Sequence, residues 1–229
     1  MIIGSGLVAN AFAGRLPADQ DVWIYAAGVS NSGCSNRFEF DRERARLSNA
    51  LMAGSQADVF VYFSTCSVLD PKAVNSAYVG HKLEMEKLVS QHPSFLIVRL
   101  SQMAGKTPNP NTLLNYLYAR ISRSESFVVW KNATRNIIDI DDVASIVIQI
   151  LADTQARRAT INVANPISYP ITELIAMMEK LIGKPAITKA VGDGGTYEID
   201  TSQIRPIICR LGLAFDDSYV FRVIQKYYG

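Results

Sequence analysis

The segment from Asn75 to Val89 carries a tyrosine and a lysine at a spacing that could support acid–base chemistry. If this segment is a helix, Tyr78 and Lys82 lie one turn apart on the same apolar stripe as Met85. A free tyrosine has a pKa of about 10, and a lysine cation beside it lowers that pKa by favouring the phenolate. Such a pair could exchange a proton with a substrate oxygen. The alternative is a packed tyrosine beside a lysine whose ammonium group extends into water.

A glycine-rich turn near the N-terminus could bind a phosphate group. Residues 4–9 read GSGLVA, a GxGxxA pattern that follows a short apolar run and precedes a helical pattern. Glycines at such a turn let the backbone approach a pyrophosphate closely, although ordinary strand-to-helix turns carry the same pattern. An acidic residue or an arginine about 20 residues later normally contacts the adenosine ribose. Here the chain runs directly into another apolar run at residues 21–27, which leaves no room for the usual second and third strands.

The composition is that of a globular protein. Of 229 residues, 48% are hydrophobic and 19% are charged, which excludes a disordered chain; the length suits one large domain, or one domain with a small appendage. The net charge of +2 argues against a nucleic-acid-binding surface. No apolar run reaches the roughly 18 residues that a membrane helix needs. The N-terminal apolar stretch lacks the preceding basic residues of a signal peptide.

The cysteines and histidines do not indicate a metal site. Cys34, Cys66 and Cys209 are far apart and have no CxxC spacing, so neither a disulfide framework nor a zinc site is predicted. Reduced thiols are typical of a cytoplasmic protein. His81 and His92 have no metal-type partners, and His81 is expected to have no role in the site.

Short apolar runs alternate with helical patterns along the first two thirds of the chain. Strands are predicted at 1–3, 21–27, 58–64, 94–100, 126–130 and 159–164, and helices at 7–15, 40–53, 76–91, 111–122 and 140–152. The runs are continuously hydrophobic, as strands buried on both faces require, so we predict an α/β fold with a doubly wound parallel sheet. Asp141 and Asp142 are expected to cap the helix at 140–152.

The pattern changes after about residue 165. A helix from about residue 171 ends at Gly183, a turn-rich loop follows, and a last helix is predicted around 216–227. We therefore predict a Rossmann-like dinucleotide-binding domain at 1–164, with 105–125 contributing to the substrate cleft. Residues 165–229 are predicted to form a small C-terminal substrate-binding lobe.

Seven segments in the same order resemble those of the extended short-chain dehydrogenase/reductase family, which includes nucleotide-sugar epimerases, dehydratases and 4-ketoreductases. They are GSGLVA (4–9), VWIYAAGVSNS (22–32), FVYFSTCSVLD (60–70), YVGHK (78–82), IVRLSQMAG (97–105), RNIIDIDDVASIV (135–147) and INVANPISYPITEL (161–174). The resemblance spans nearly the whole chain, and YxxxK together with RNIIDIDDVA is its most specific part. It implies a Rossmann fold with a reduced number of strands and NAD or NADP as the cofactor.

The resemblance also implies roles for individual residues. Tyr78 would be the catalytic acid or base, with Lys82 and Thr65 as its partners. The cofactor would contact Gly4, Ser5, Gly6, Leu7, Val8, Ala26, Ala27, Gly28 and Lys82. The substrate would contact Ser67, Gln102, Thr112, Leu113, Arg135 and Lys189.

The family pattern is not complete in this chain. Ile3 stands in place of the first family glycine, and Gln102 stands where the family usually has asparagine. For Arg135, which matches the arginine that binds the nucleotide diphosphate, the alternative is an exposed ion pair with Asp139 or Asp141.

Two functions follow as expectations. The first is a nucleotide-sugar oxidoreductase of the 4-ketoreductase or 4-epimerase type. A dehydratase is disfavoured because Thr65 is followed by Cys66 and Ser67, whereas the family's dehydratases usually have Asp-Glu there. The second is a non-catalytic Rossmann-fold sensor or scaffold that has lost full cofactor binding. The resemblance further implies a homodimer through the helices at 40–53 and 76–91, with no nucleic-acid or membrane partner.

Overall fold

The computed structural model describes residues 1–153, 157–192 and 194–229. The strands are β1 (Ile2–Ile3), β2 (Val22–Tyr25), β3 (Val59–Thr65), β4 (Phe95–Leu100), β5 (Gln102–Ala104), β6 (Phe127–Trp130), β7 (Thr134–Arg135), β8 (Ile137–Asp139), β9 (Ala159–Val163), β10 (Tyr169–Pro170) and β11 (Thr188–Val191). The helices are α1 (Leu7–Phe12), α2 (Arg37–Ala53), α3 (Ala77–Val89), α4 (Leu113–Ser122), α5 (Ile140–Ala152), α6 (Ile171–Ile182), α7 (Arg205–Leu211) and α8 (Tyr219–Tyr228).

Five parallel strands form the central sheet, in the spatial order β1-β2-β3-β4-β9. All seven residues of β3, the middle strand, are buried because helices cover both faces of the sheet. The predicted α/β fold with a parallel sheet is confirmed. Among the described residues β1 pairs only with β2, so the glycine-rich turn lies at an edge of the sheet.

The helices lie on both faces of the central sheet. Strands β1 to β4 follow one another in one direction across the sheet. Helices α2 and α3 pack against Tyr25 and Tyr62 on one face, whereas α1 packs with α5 on the other.

A second core lies beside the sheet. Residues of α4, β6, α6 and α8 bury their apolar side chains against one another there. The predicted strand at 126–130 belongs to this region, because β6 pairs in parallel with β11 and not with the central sheet. Its side chains alternate between buried and exposed, so the expectation that it is buried on both faces is wrong. The domain boundary at residue 164 stays a prediction.

Several local predictions need correction. Helix α1 ends at Phe12, earlier than the predicted residue 15. Helix α7, which packs on α5, is missing from the prediction. The residue that caps α5 is Asp139, whose side chain accepts a hydrogen bond from the Asp141 N–H, and not Asp141 or Asp142. Within the described ranges, no helix combines the length and apolarity needed to cross a membrane.

Candidate active site

A cleft of about 1050 Å³ opens where the strands of the central sheet end. Ligands of open parallel sheets bind at this edge, because the loops after the strands converge there. Of the predicted site residues, the structure brings these to the cleft: Gly4, Ser5, Gly6, Leu7, Val8, Ala26, Ala27, Gly28, Thr65, Ser67, Tyr78, Lys82, Gln102, Thr112, Leu113 and Arg135. Lys189 is exposed on β11 and does not line the cleft.

The turn between β1 and α1 fits a phosphate-bearing ligand. Gly4 has φ +136°, and a Cβ there would lie 2.4 Å from the Ala26 carbonyl oxygen, so only glycine is accommodated. A Cβ on Gly6 would meet no atom within 4 Å, which leaves the backbone approachable from the cleft. No side chain caps the first turn of α1, so its backbone N–H groups stay available.

Thr65 and Tyr78 are two hydroxyl-bearing residues that line the cleft. Thr65 is the last residue of β3, and Tyr78 is in the first turn of α3, which Ser76 caps by accepting a hydrogen bond from the Val79 N–H. Burial raises the pKa of Tyr78 to about 12, and the charge of Glu43 acts in the same direction, while the hydrogen bond with Thr65 opposes both. Tyr78 is therefore a phenol at neutral pH.

Lys82 is buried and does not extend into water. It is 3% exposed, as the interruption of the apolar stripe on α3 suggested, so the alternative of a solvated lysine is wrong. Its Nζ donates to Glu43 Oε1 (3.1 Å), the Tyr62 hydroxyl (3.0 Å) and the Phe63 carbonyl oxygen (3.4 Å). These bonds use all three donors of an ammonium group. The expected lowering of the Tyr78 pKa is also wrong, because burial raises that pKa and the charge of Glu43 adds to the effect.

Glu43, on α2, is the acid that pairs with Lys82. Burial alone would raise its pKa, but a hydrogen bond from His81, the charge of Lys82 and hydrogen bonds from Val29 and Tyr62 together lower it to about 2. His81 Nε2 lies 3.0 Å from Glu43 Oε2, and the imidazole stacks on the Phe40 ring at 4.4 Å. His81 contacts Glu43 but does not line the cleft, so the expectation that it has no role in the site stays a prediction.

Arg135 also lines the cleft. Burial lowers the pKa of Arg135, while Tyr197 and Asp70 oppose that effect. Asp139 and Asp141 both pair with Lys226, so the alternative of an exposed Arg135 ion pair with either aspartate is wrong. In the described part of the chain Arg135 has no ion-pair partner, and its guanidinium donates to the Thr134 carbonyl oxygen at 2.8 Å.

Comparisons with known proteins identify the family. The model of the NAD dependent epimerase/dehydratase family matches residues 18–164, more than half of the chain. The chain belongs to this family. The matched region begins after the glycine-rich turn at residues 4–9. A search of curated proteins finds no match.

Solved structures of epimerase/dehydratase proteins share the fold. UDP-glucuronic acid 4-epimerase from Bacillus cereus is 20% identical, with a TM-score of 0.70 over 98% of this chain and 80% of that one. UDP-glucose 4-epimerase from Thermus thermophilus is 14% identical, with a TM-score of 0.70 over 87% and 74%. RMD from Pseudomonas aeruginosa is 18% identical, with a TM-score of 0.64 over 89% and 79%. At these identities the likeness establishes the fold alone.

Three side chains of this family member were not predicted to contribute to the site. Tyr197 and Asp70 line the cleft beside Arg135, and burial raises the pKa of Tyr197 while Ser67 opposes that effect. They come from loops whose packing no sequence periodicity reports. Glu43 could have been found, since it shares a helical stripe with buried Leu47 and Ala50.

Proposed function

We propose that the protein is a nicotinamide-dependent oxidoreductase that acts on a nucleotide sugar, as a 4-ketoreductase or a 4-epimerase. The observation that carries this proposal is that the Thr65 and Tyr78 hydroxyls line the same cleft as the turn at Gly4–Gly6. The family membership supports the same class of reaction.

Two groups of residues that line the cleft are each suited to bind one ligand. The turn at Gly4–Gly6 and the segment Ala26–Gly28 would hold NAD or NADP, which when bound supplies hydride transfer. Arg135 would bind the diphosphate of the sugar nucleotide through its fork of N–H donors. Ser67, Gln102, Thr112 and Leu113 would contact the rest of that ligand. Two of the solved structures with this fold hold a UDP sugar together with NAD, which supports this ligand class.

Tyr78 would exchange the proton that accompanies hydride transfer. Because its phenol keeps the proton at neutral pH, it is suited to donate that proton to a carbonyl oxygen. The Thr65 hydroxyl would hydrogen-bond the same substrate oxygen.

A ligand sensor or scaffold is the second candidate. Strand β1 forms an edge of the described sheet, so the side on which adenosine normally binds lacks two strands. This observation favours a protein that binds the sugar nucleotide without turning it over.

A homodimer and a cytoplasmic location are further parts of the proposal. Helices α2 and α3 pack side by side and expose Phe38 and Leu83 on their outer faces, which suits pairing with a second copy. Cys34, Cys66 and Cys209 are free thiols, as is usual in the cytoplasm.

A fluorescence titration with NADH and NADPH, each with and without UDP- and dTDP-sugars, tests the function. The oxidoreductase predicts saturable binding of at least one reduced cofactor. Binding of a sugar nucleotide with neither cofactor would instead support the sensor.

Once a substrate is found, Tyr78→Phe should abolish turnover. Tyr118→Phe, which changes an exposed tyrosine outside the cleft, should not.

A further inference from the structure

Glu43 joins two parts of the candidate site through one buried carboxylate. The residue is 2% exposed, lies on α2 and does not itself line the cleft. Its Oε1 accepts from the Tyr62 hydroxyl at 2.8 Å and from Lys82 at 3.1 Å. Its Oε2 accepts from the Val29 backbone N–H at 2.7 Å and contacts His81. One side chain thus connects α2, β3, α3 and the loop that follows β2.

The loop after β2 packs directly on this ion pair. A Cβ on Gly28 would lie 2.7 Å from both Glu43 Oε1 and Lys82 Nζ. A larger residue at this position would have to displace one of the two charged groups. Because Ala26–Gly28 form part of the proposed cofactor site, the position of the Glu43 carboxylate sets the position of a cofactor-binding segment.

We propose that Glu43 is a positioning residue that holds Lys82 and the Ala26–Val29 loop in the arrangement that binds the nicotinamide cofactor. The proposal rests on the proposed function. Of the three Lys82 bonds, the one to the Phe63 carbonyl oxygen is the longest. Lys82 can exchange that bond for a cofactor hydroxyl while Glu43 continues to hold the ammonium group.

The charge of Glu43 also keeps Lys82 protonated. Burial lowers the pKa of Lys82, and Glu43 is the largest opposing influence. The charged and titratable groups around the pair are Tyr25 on β2, Tyr62 on β3, Tyr78, His81 and Glu86 on α3, and Arg42 and Arg46 on α2. Without the Glu43 carboxylate, we expect Lys82 to lose its proton closer to neutral pH.

The test is a titration of wild type, Glu43→Gln and Glu39→Gln with NADH and NADPH at pH 7.5, 8.5 and 9.5, above the usual histidine range. Glu39 is the matched control, since it lies on the same helix and pairs with Arg42 at the surface. In Glu43→Gln we expect the Kd for the cofactor to rise about tenfold at pH 7.5 and further as the pH increases. Wild type and Glu39→Gln should bind with nearly constant Kd over this range.

The outcomes separate this inference from the proposed function. Equal Kd values and equal pH profiles for wild type and Glu43→Gln would overturn the role of Glu43 and leave the oxidoreductase proposal intact. A wild type that binds neither cofactor would overturn both. If circular dichroism shows that Glu43→Gln does not fold, the same cofactor titration is made with Glu43→Asp. Its carboxylate is one methylene too short to hold Val29 and Lys82 together, so a wild-type Kd in that variant would overturn the proposal.

Discussion

Replacing Glu43 by glutamine is expected to destabilise the fold by about 3 kcal/mol at pH 7. The native environment lowers the pKa of Glu43 from 4.5 to about 2. Each pKa unit corresponds to about 1.4 kcal/mol, which gives about 3 kcal/mol in favour of the charged form. Removing one partner of a buried ion pair costs a similar amount, about 3–5 kcal/mol. Glutamine has nearly the same shape, but its amide N–H groups would face the donors of Val29, Lys82 or Tyr62.

The stability difference should depend on pH with a defined sign. A carboxyl group whose pKa is lowered in the folded state stabilises the fold above its unfolded pKa and loses that contribution as the pH falls. The difference between wild type and Glu43→Gln should therefore shrink from about 3 kcal/mol at pH 7 to about 2 kcal/mol at pH 3.5. Urea unfolding followed by circular dichroism at both values measures it, with Glu39→Gln as the control. A difference below about 1 kcal/mol at pH 7, or one that does not change with pH, would refute the reasoning.

Three further substitutions test other parts of the cleft. Tyr78→Phe should leave the Kd for NADH or NADPH within about twofold of wild type, because only a hydroxyl group is lost; a large change would show that Tyr78 holds the cofactor. Gly4→Ala should lower the melting temperature and weaken cofactor binding, because its φ is +136° and a Cβ would meet a carbonyl oxygen at 2.4 Å. Gly14→Ala is the control, because Gly14 has φ +72° but a Cβ there would meet no atom within 4 Å. It should lower the free energy of unfolding by only about 1 kcal/mol. Equal losses of stability in the two variants would contradict the steric argument. Arg135→Ala should weaken UDP-sugar binding in calorimetry by at least about tenfold, whereas the exposed control Arg123→Ala should not.

The sheet could be predicted from sequence because its strands are buried on both faces. Runs such as residues 58–64 are continuously apolar, and only a parallel sheet covered by helices requires that pattern. The pairing of β6 with β11 could not be predicted in the same way, since it depends on how α4 and α6 bring distant segments together. Helix α7 has seven residues with a proline near its start, which is too short for a periodic signal.

For the site, the sequence identified one member of the buried ion pair and missed the other. Lys82 stood out because a charged residue interrupts an apolar helical stripe, and a buried charge requires a partner. The neighbouring helix, α2, also carries a charged residue on a buried stripe. Of the three acids on α2, only Glu43 lies one and two turns before the buried Leu47 and Ala50. A lysine on one buried stripe and a glutamate on the next stripe predict an ion pair between the helices, and that ion pair forms in the structure at 3.1 Å.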